Sequence, residues 1–283
     1  MVENKIKEDL IMALRINTNV AALNAHRQLL GTEAKLNSSM EKLSSGYRIN
    51  RASDDAAGLA IANRLRANVR SLTVASRNVT EGKALLAVAE GSANQIEGIL
   101  ERMKELATQA SSANASSDLS KIDAEFDKLS AEITRISEST KYQGVALLSS
   151  AYTGTFQVGS DNTTASQISL STSALTVSGL NLDSTDLSTA ENARTALASI
   201  DDAIDSLATI LGDIGATMNR LDYTYSNLQV QIENFSASES VIRDVDMASE
   251  MVTFTKSQIL LQAGTAMLAQ ANMSSQGVLS LFG

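Results

Sequence analysis

The sequence contains no cysteine, no proline and no tryptophan among its 283 residues, and only 4% of them are aromatic. The missing cysteines exclude disulfides, thiolate metal sites and a cysteine nucleophile. The missing prolines remove the strongest helix breaker from a chain in which ordinary usage would be about 5% proline. These absences favour a mostly helical protein whose core is built from Leu, Ile, Val, Ala and Met.

Other absences exclude whole classes of function. The net charge of −9 argues against nucleic-acid binding. The sequence has no run of 18 apolar residues, so we predict no membrane-spanning helix. The single histidine, His26, has no metal-binding or nucleotide-binding motif around it, so we predict no metal, no cofactor and no enzyme activity. Residues 1–11 mix charges of both signs without an apolar stretch, so they are predicted to be an extension and not a signal peptide.

The strongest pattern is a seven-residue repeat between Ile200 and Ile242. Twelve of its thirteen positions, taken at alternating steps of four and three, are apolar or aromatic. A period of 3.5 residues keeps one helical seam against another long helix. At 1.5 Å per residue the helix would be roughly 64 Å long, so we predict a coiled-coil rod.

Similar rows predict three more helices before this one, over residues 14–43, 55–110 and 119–136. Ser44, Ser45 and Gly46 predict the end of the first, with Gly46 as a left-handed cap. Ser53 or Asp54 is predicted to cap the second. The capping box Ser188–Glu191 is predicted to begin the long helix, inside which Gly212 and Gly215 would permit a close contact or a slight bend.

Residues 137–187 differ in character, because Ser, Thr and Gly dominate them. Residues 155–158 and 167–171 alternate polar and apolar side chains, and GSDNTT between them is typical of a turn. This segment therefore predicts a small β-hairpin patch.

The C-terminal helix, from about Met247, has an apolar face too wide for a single seam. Such a helix must be buried by several neighbours, and a pair of terminal helices is marginal by itself in water. Burial by other copies is the simplest resolution. The cluster of Arg48, Arg51, Arg64, Arg66 and Arg70 is predicted to pair with Asp244 and Asp246, if the chain ends lie side by side.

Two long motifs identify a family. LRINTNVAALNAHRQL with LSSGYRINRASDDAAGLAIANRLRA resembles the N-terminal region of bacterial flagellin, and IRDVDMASEMVTFTKSQILLQAGTAMLAQANMSSQGVLSLF resembles its C-terminal region. The resemblance covers about residues 12–148 and 187–283. It implies a short flagellin without large outer domains, hence a secreted structural subunit that polymerises into the flagellar filament for motility.

The fold class implied is mainly α: a long antiparallel coiled-coil rod with a small β-hairpin patch and paired N- and C-terminal helices. The resemblance divides the chain into an inner coiled-coil domain, a rod domain and a variable segment. Residues 12–46 and 244–283 belong to the first, 47–136 and 188–243 to the second, and 137–187 to the third.

The resemblance also implies partners. These are further copies in a helical filament, hook-associated and cap proteins, the type III export apparatus, and an export chaperone on the C-terminal region. Self-assembly is expected to bury apolar residues of the terminal helices: Ile16, Val20, Leu23, Leu30, Leu36, Met251, Phe254, Leu261, Leu268, Leu279 and Leu281.

One receptor site is implied by the segment ERMKELATQASSAN, which resembles the part of some flagellins that a vertebrate toll-like receptor recognises. On the matching positions, Arg102 would be the cation held by the receptor, with Leu106, Gln109 and Glu125 beside it. The competing interpretation is that these residues serve filament packing.

The main alternative function is a hook-filament junction (hook-associated) protein, which shares the N-terminal motif. The LAQAN and VLSL elements favour flagellin. An inserted metalloprotease is excluded by the short middle without histidine, and a chemoreceptor signalling rod would need membrane spans.

Overall fold

The computed structural model describes residues 18–112 and 119–282, with side chains described as far as residue 274. The described residues form five α-helices, named here in chain order: α1 (Val20–Ser45), α2 (Ala56–Ala110), α3 (Leu119–Ser139), α4 (Ala190–Arg243) and α5 (Met247–Phe282). Four short strands lie between α3 and α4: β1 (Lys141–Tyr142), β2 (Val145–Ala146), β3 (Tyr152–Gln157) and β4 (Gln167–Thr172). The predicted fold class is confirmed. No helix in the described ranges is long and apolar enough to cross a membrane.

The chain divides into two compact units. The terminal unit comprises the residues up to 65 and from 237 onwards, and the central unit comprises residues 66–236. Helices α2 and α4 each contribute residues to both units.

In the terminal unit, α1 and α5 pack against each other in antiparallel directions. Asn19 precedes α1 and donates from Nδ2 to the carbonyl of Ala271 at 2.9 Å, while Ser39 near the other end of α1 donates to Glu250. The predicted pairing of the two terminal helices is therefore confirmed. Gly46 ends α1 at a φ of 75°, where its N–H donates to the carbonyl of Lys42, as the sequence predicts.

The loop after α1 lies beside the break between α4 and α5. Tyr47 pairs with Asp244 in a β-bridge, and the guanidinium of Arg243 lies 4.1 Å from the centre of the Tyr47 ring. Arg48 donates from its backbone N to the carbonyl of Arg243 and from Nη2 to the carbonyl of Ile242, both at 2.7 Å. The two chain ends therefore lie side by side here, held mainly by backbone groups.

The predicted pairing of the arginine cluster with Asp244 and Asp246 is wrong. Asp244 accepts from the Ser240 hydroxyl at 2.6 Å, and Asp246 caps α5 by accepting from the first backbone N–H groups of that helix. Arg51 instead pairs with Glu41 at 3.0 Å. Asp246 serves the start of α5, because a carboxylate there satisfies otherwise unpaired N–H groups, whereas Asp244 bonds to a side chain of α4 one turn earlier.

The cap of α2 is Asp55, whose Oδ1 accepts from the N–H of Gly58 at 2.9 Å. The predicted caps, Ser53 and Asp54, do not have this role. Asp54 accepts from two backbone N–H groups of the preceding loop, and these bonds, that of Arg51 first, lower the pKa of its carboxyl. The sequence predicted the helix start within two residues but not which acid caps it.

The cap of α4 is likewise displaced by one residue from the predicted capping box. Thr189 accepts at Oγ1 from the N–H of Asn192 at 3.1 Å, whereas Ser188 donates its hydroxyl to Asp186 at 2.8 Å. A capping box would require Ser188 to accept from Glu191. The Ser188 hydroxyl donates to Asp186 instead, and Thr189 is the cap.

The core of the central unit is formed by α2, α3, α4 and the residues between α3 and α4. Small side chains line the buried face of α2, at Ala75, Ala89, Ala93, Ala107 and Ala110. The largest fully buried side chains include Phe126, Leu86, Ile96, Leu100 and Met103. Alanine at the contact lets helices approach closely, and the larger residues fill the space between them.

The buried seam of α4 is rotated from the predicted row. Alternate members of that row are buried, namely Ile200, Leu207, Ile214, Leu221 and Leu228. The residues between them, Ile204, Leu211 and Met218, lie on the half-buried flank, while Ala203, Ile210 and Thr217 are buried in their place. At Ala203 and Thr217, a small side chain is suited to the closest part of a contact with the Ala-rich α2, whereas hydrophobicity alone ranks the larger neighbours higher. Ile210 is as large as Leu211, so side-chain size does not account for its burial.

The two glycines of α4 do not mediate a close contact within the described chain. A Cβ built at Gly212 or Gly215 would meet no atom within 4 Å. The close contact predicted for them is therefore absent from the described part of the single subunit, and the alternative, a slight bend, stays a prediction.

The predicted hairpin is confirmed as β3 paired with β4 in antiparallel register, with Phe156 opposite Ile168. It packs on α2 where Gly82 leaves room, since a Cβ there would lie 2.9 Å from the Phe156 ring. A second pair, β1 with β2, was not predicted. Gln143 and Gly144 both have positive φ in its two-residue loop, as type I′ turns require.

Candidate assembly surface

The seam between α1 and α5 is unusually polar for a helix pair. Its buried positions include Thr32, Ser39 and Ser257. A Cβ at Gly264 would lie 2.9 Å from the side chain of Leu29, so the helices are in close contact at this point. Small and polar seam residues bury little apolar surface, and the pair gains correspondingly little from its own contact.

Large apolar side chains lie instead on the solvent-facing sides of both helices. On α1, Val20, Leu23, Leu30 and Met40 are each more than half exposed. On α5, an open apolar depression of about 500 Å³ is lined by Met251, Val252, Thr255, Lys256, Ile259 and Leu260. Contiguous exposed apolar surface of this kind marks an interaction site, because water-exposed apolar area is costly.

The predicted assembly residues separate into two groups. Val20, Leu23, Leu30 and Met251 lie on the exposed apolar faces. Leu36, Phe254, Leu261 and Leu268 are half-buried. Ile16 lies outside the described residues, and the side chains of Leu279 and Leu281 lie outside those described.

The predicted set also omits exposed residues of α5. Val252, Ile259, Leu260 and Met267 are between 48% and 70% exposed, so they belong to the free face as much as Met251 does. The sequence feature that could have identified these four residues is the apolar face of α5, which is too wide for a single seam. A single row chosen along a helix apolar on several sides cannot separate the residues facing the partner helix from those facing solvent.

The four predicted receptor residues belong to the central unit and divide by exposure. Arg102 of α2 is exposed, and its guanidinium forms ion pairs with Glu105 at 2.7 Å and with Glu125 of α3 at 2.9 Å. Gln109 is also exposed. Leu106 is only 2% exposed and belongs to the core, so its side chain is not available to a partner in this structure.

The pKa of Arg102 is raised, first by the hydrogen bond to Glu105 and then by that to Glu125. The cation is therefore held between two acids, in a defined position, while remaining in contact with water. This arrangement offers a charged anchor for recognition and has no nucleophile or acid–base pair that would suggest catalysis.

Known proteins and protein families match this chain along most of its length. Residues 16–153 match the bacterial flagellin N-terminal helical region, and residues 197–282 match the bacterial flagellin C-terminal helical region. The chain is 42% identical to a flagellin of Halalkalibacterium halodurans, over 94% of this chain and 98% of that one. It is 40% identical to the flagellar filament 33 kDa core protein of Treponema phagedenis, over 94% and 99%. A putative flagellar hook-associated protein from Vibrio parahaemolyticus shares the fold at 14% identity, with a TM-score of 0.55 over 67% of this chain and 99% of that one.

Proposed function

Since this chain belongs to the bacterial flagellin family and is a structural subunit of the extracellular flagellar filament, not an enzyme, we propose that its copies polymerise by burying the free apolar faces of α1 and α5 against one another. The observation that carries the proposal is the position of those faces, opposite a polar seam that leaves them uncovered. The hook-filament junction alternative has no comparable support, because the likeness to a hook-associated protein concerns the fold alone.

The energetic argument rests on the number of exposed apolar residues. Fully burying one Val, Leu, Ile or Met side chain contributes about 1.5–3 kcal/mol. Several such residues on each helix supply enough to offset the loss of translational and rotational freedom on association. Because the α1 face and the α5 face differ, a contact between copies is heterologous and grows as an open helical array.

Ile259→Glu is expected to stop polymerisation of the full chain. Ile259 is 60% exposed on the apolar depression of α5, so burying a carboxylate there against another copy would cost several kcal/mol without a partner. The matched control is Gln258→Glu, which adds the same charge to the exposed neighbouring position. Sedimentation and negative-stain electron microscopy measure the polymer, and circular dichroism measures the helix content of both variants. Normal filaments from Ile259→Glu would refute the proposed surface.

Within this function, residues 12–46 and 244–283 form the inner domain, in which contacts between copies concentrate. Residues 47–136 and 188–243 form the rod, and residues 137–187 form the variable segment with the hairpin.

Export precedes assembly in this proposal: the chain is secreted through the flagellar type III export apparatus. An export chaperone covers the α5 face before assembly, for which its exposed, adaptable Met251, Met267 and Met273 are well suited. Cap and hook-associated proteins contact the ends of the array.

A second proposal concerns recognition by a host toll-like receptor. Its support is the exposed Arg102, held in place by Glu105 and Glu125, with Gln109 exposed on the same helix. Leu106 would contribute through its packing of α2 against the core.

Arg102→Ala is expected to reduce receptor activation at least tenfold without preventing polymerisation. The substitution removes the charged anchor, and its exposed ion pairs contribute little to folding. A receptor-reporter cell assay measures activation, with Arg135→Ala as control, since Arg135 forms a comparable exposed pair with Glu132 on α3. Full activation by Arg102→Ala, or equal loss in both variants, would count against the site.

A further inference from the structure

The solvent-facing side of α2 in the central unit carries a basic stripe, defined by Arg70, Val74 and Arg77. These positions follow one another at three- and four-residue steps, so they share a face of the helix. All three are exposed, and within the described residues neither arginine has a hydrogen-bond or ion-pair partner. Val74, 51% exposed, lies between the two charges.

The solvent-facing side of α4 in the same unit carries an acidic stripe, defined by Asp202, Asp205 and Asp213. All three are exposed, and their carboxylates have no partner in the described part of the chain. Two other aspartates of this helix are paired with α2: Asp201 with Lys104, and Asp222 with Lys83. The unpaired aspartates are thus a distinct set on the outer face.

The two stripes lie too far apart to pair within one molecule. The ion pairs Lys83–Asp222 and Lys104–Asp201 show which levels of the antiparallel α2 and α4 are opposite each other. Arg77 precedes Lys83 by six residues, and Asp213 precedes Asp222 by nine. Because the two helices are antiparallel, these steps lead in opposite directions from the Lys83–Asp222 pair. At 1.5 Å per residue, Arg77 and Asp213 are separated by about 22 Å along the helices.

The charges of the two stripes nevertheless match in spacing. Seven residues separate Arg70 from Arg77, about 10 Å along a helix, and eight residues separate Asp205 from Asp213, about 12 Å. Gly212 lies on the acidic face, with no atom within 4 Å of where its Cβ would be, so it leaves room for a neighbouring helix. In a chain of net charge −9, electrostatic attraction between copies requires such localised complementarity.

We propose that the basic stripe of one copy docks on the acidic stripe of a second copy, displaced along the rod. Arg77 faces Asp205 and Arg70 faces Asp213 when the two copies are parallel, with Val74 packed between the charges. Each copy keeps one stripe free at its outer side, so the contact propagates. This inference rests on the proposed filament function and adds a second, electrostatic interface to the apolar one of the terminal unit.

The test is charge reversal in the full chain. Arg70→Glu with Arg77→Glu, or Asp205→Arg with Asp213→Arg, is expected to raise the critical concentration for polymerisation on the order of tenfold at low salt, equivalent to about 1.4 kcal/mol. The chain with all four substitutions restores the attraction with reversed sign, and its critical concentration is expected to return to within about twofold of the original. The control Asp127→Arg with Asp183→Arg changes the net charge by the same amount as Asp205→Arg with Asp213→Arg, at exposed positions outside both stripes.

Salt provides a second measurement. The range of electrostatic interaction falls from about 10 Å at 0.1 M salt to about 3 Å at 1 M. The difference between each reversed variant and the unmodified chain is therefore expected to shrink at high salt. Circular dichroism of the variants excludes loss of folding as the cause.

Two outcomes would overturn the inference: reversed variants that polymerise normally at low salt, or a fourfold variant that stays as defective as its parents. In either case a defective Ile259→Glu chain would leave the proposed apolar assembly surface standing. Normal assembly of Ile259→Glu, together with rescue by the fourfold reversal, would reject the apolar surface and keep the charged one.

Discussion

Deletion of Gln270–Gly283 is expected to abolish polymerisation and leave a helical monomer. The deletion removes the carbonyl of Ala271, to which Asn19 donates, and the exposed Met273, so both the pairing of α1 with α5 and the free apolar face lose their ends. The buried core of the central unit lies between residues 72 and 228 and loses none of its members. Electron microscopy is expected to show no filaments, and circular dichroism a largely retained helix signal.

The matched control for this truncation is a chain that begins at Met12. The family match begins at residue 16, so removal of the predicted extension is expected to leave polymerisation intact. Normal filaments from the chain lacking Gln270–Gly283 would show that the end of α5 is dispensable and would contradict the proposed assembly mode.

Phe126→Ala is expected to lower the free energy of unfolding of the central unit by about 3–5 kcal/mol. Phe126 projects from α3 into the core and is only 1% exposed, so its truncation both removes apolar burial and leaves a cavity. Since single domains are typically stable by about 5–15 kcal/mol, the loss would be a large share of the total. Urea denaturation followed by circular dichroism measures the change.

Tyr223→Ala is the control for this substitution, because Tyr223 is 80% exposed in the same unit. It is expected to alter the free energy of unfolding by no more than about 0.5 kcal/mol. A change below 1 kcal/mol for Phe126→Ala would mean that α3 is loosely attached to α2 and α4, contrary to the core described above.

The sequence predicted the elements of the fold closely where local chemistry decides them. The end of α1 follows from Gly46, which alone tolerates the left-handed cap without strain, and the hairpin follows from alternation around a polar turn. The N-terminal cap of α2 was not predicted correctly. Ser53, Asp54 and Asp55 all have the right chemistry, and the loop geometry that occupies Asp54 elsewhere decides among them.

The residues of the assembly surface were harder to predict, because the sequence of a helix that is apolar around much of its circumference does not show which side faces solvent. On α5 the sequence identified Met251, Phe254, Leu261 and Leu268 as one set. The structure places Phe254, Leu261 and Leu268 on the half-buried side and Met251 among exposed neighbours. Likewise, Leu106 and Arg102 stand four residues apart in one motif, but only Arg102 faces solvent.

By itself, then, the sequence determined the helical fold, the family and the structural role, because the seven-residue repeat, the absence of proline and the two terminal motifs are local and cumulative. Tertiary structure alone decided which side of each helix is free. The α1–α5 seam fully buries Thr32, Ser39 and Ser257, half-buries Phe254, Leu261 and Leu268, and leaves other large apolar residues such as Met251 and Ile259 exposed. The α2–α4 contact aligns Lys83 with Asp222 and thereby separates the unpaired arginines from the unpaired aspartates. Both results depend on how two helices are rotated and shifted against each other, which the hydrophobic pattern of one helix does not contain.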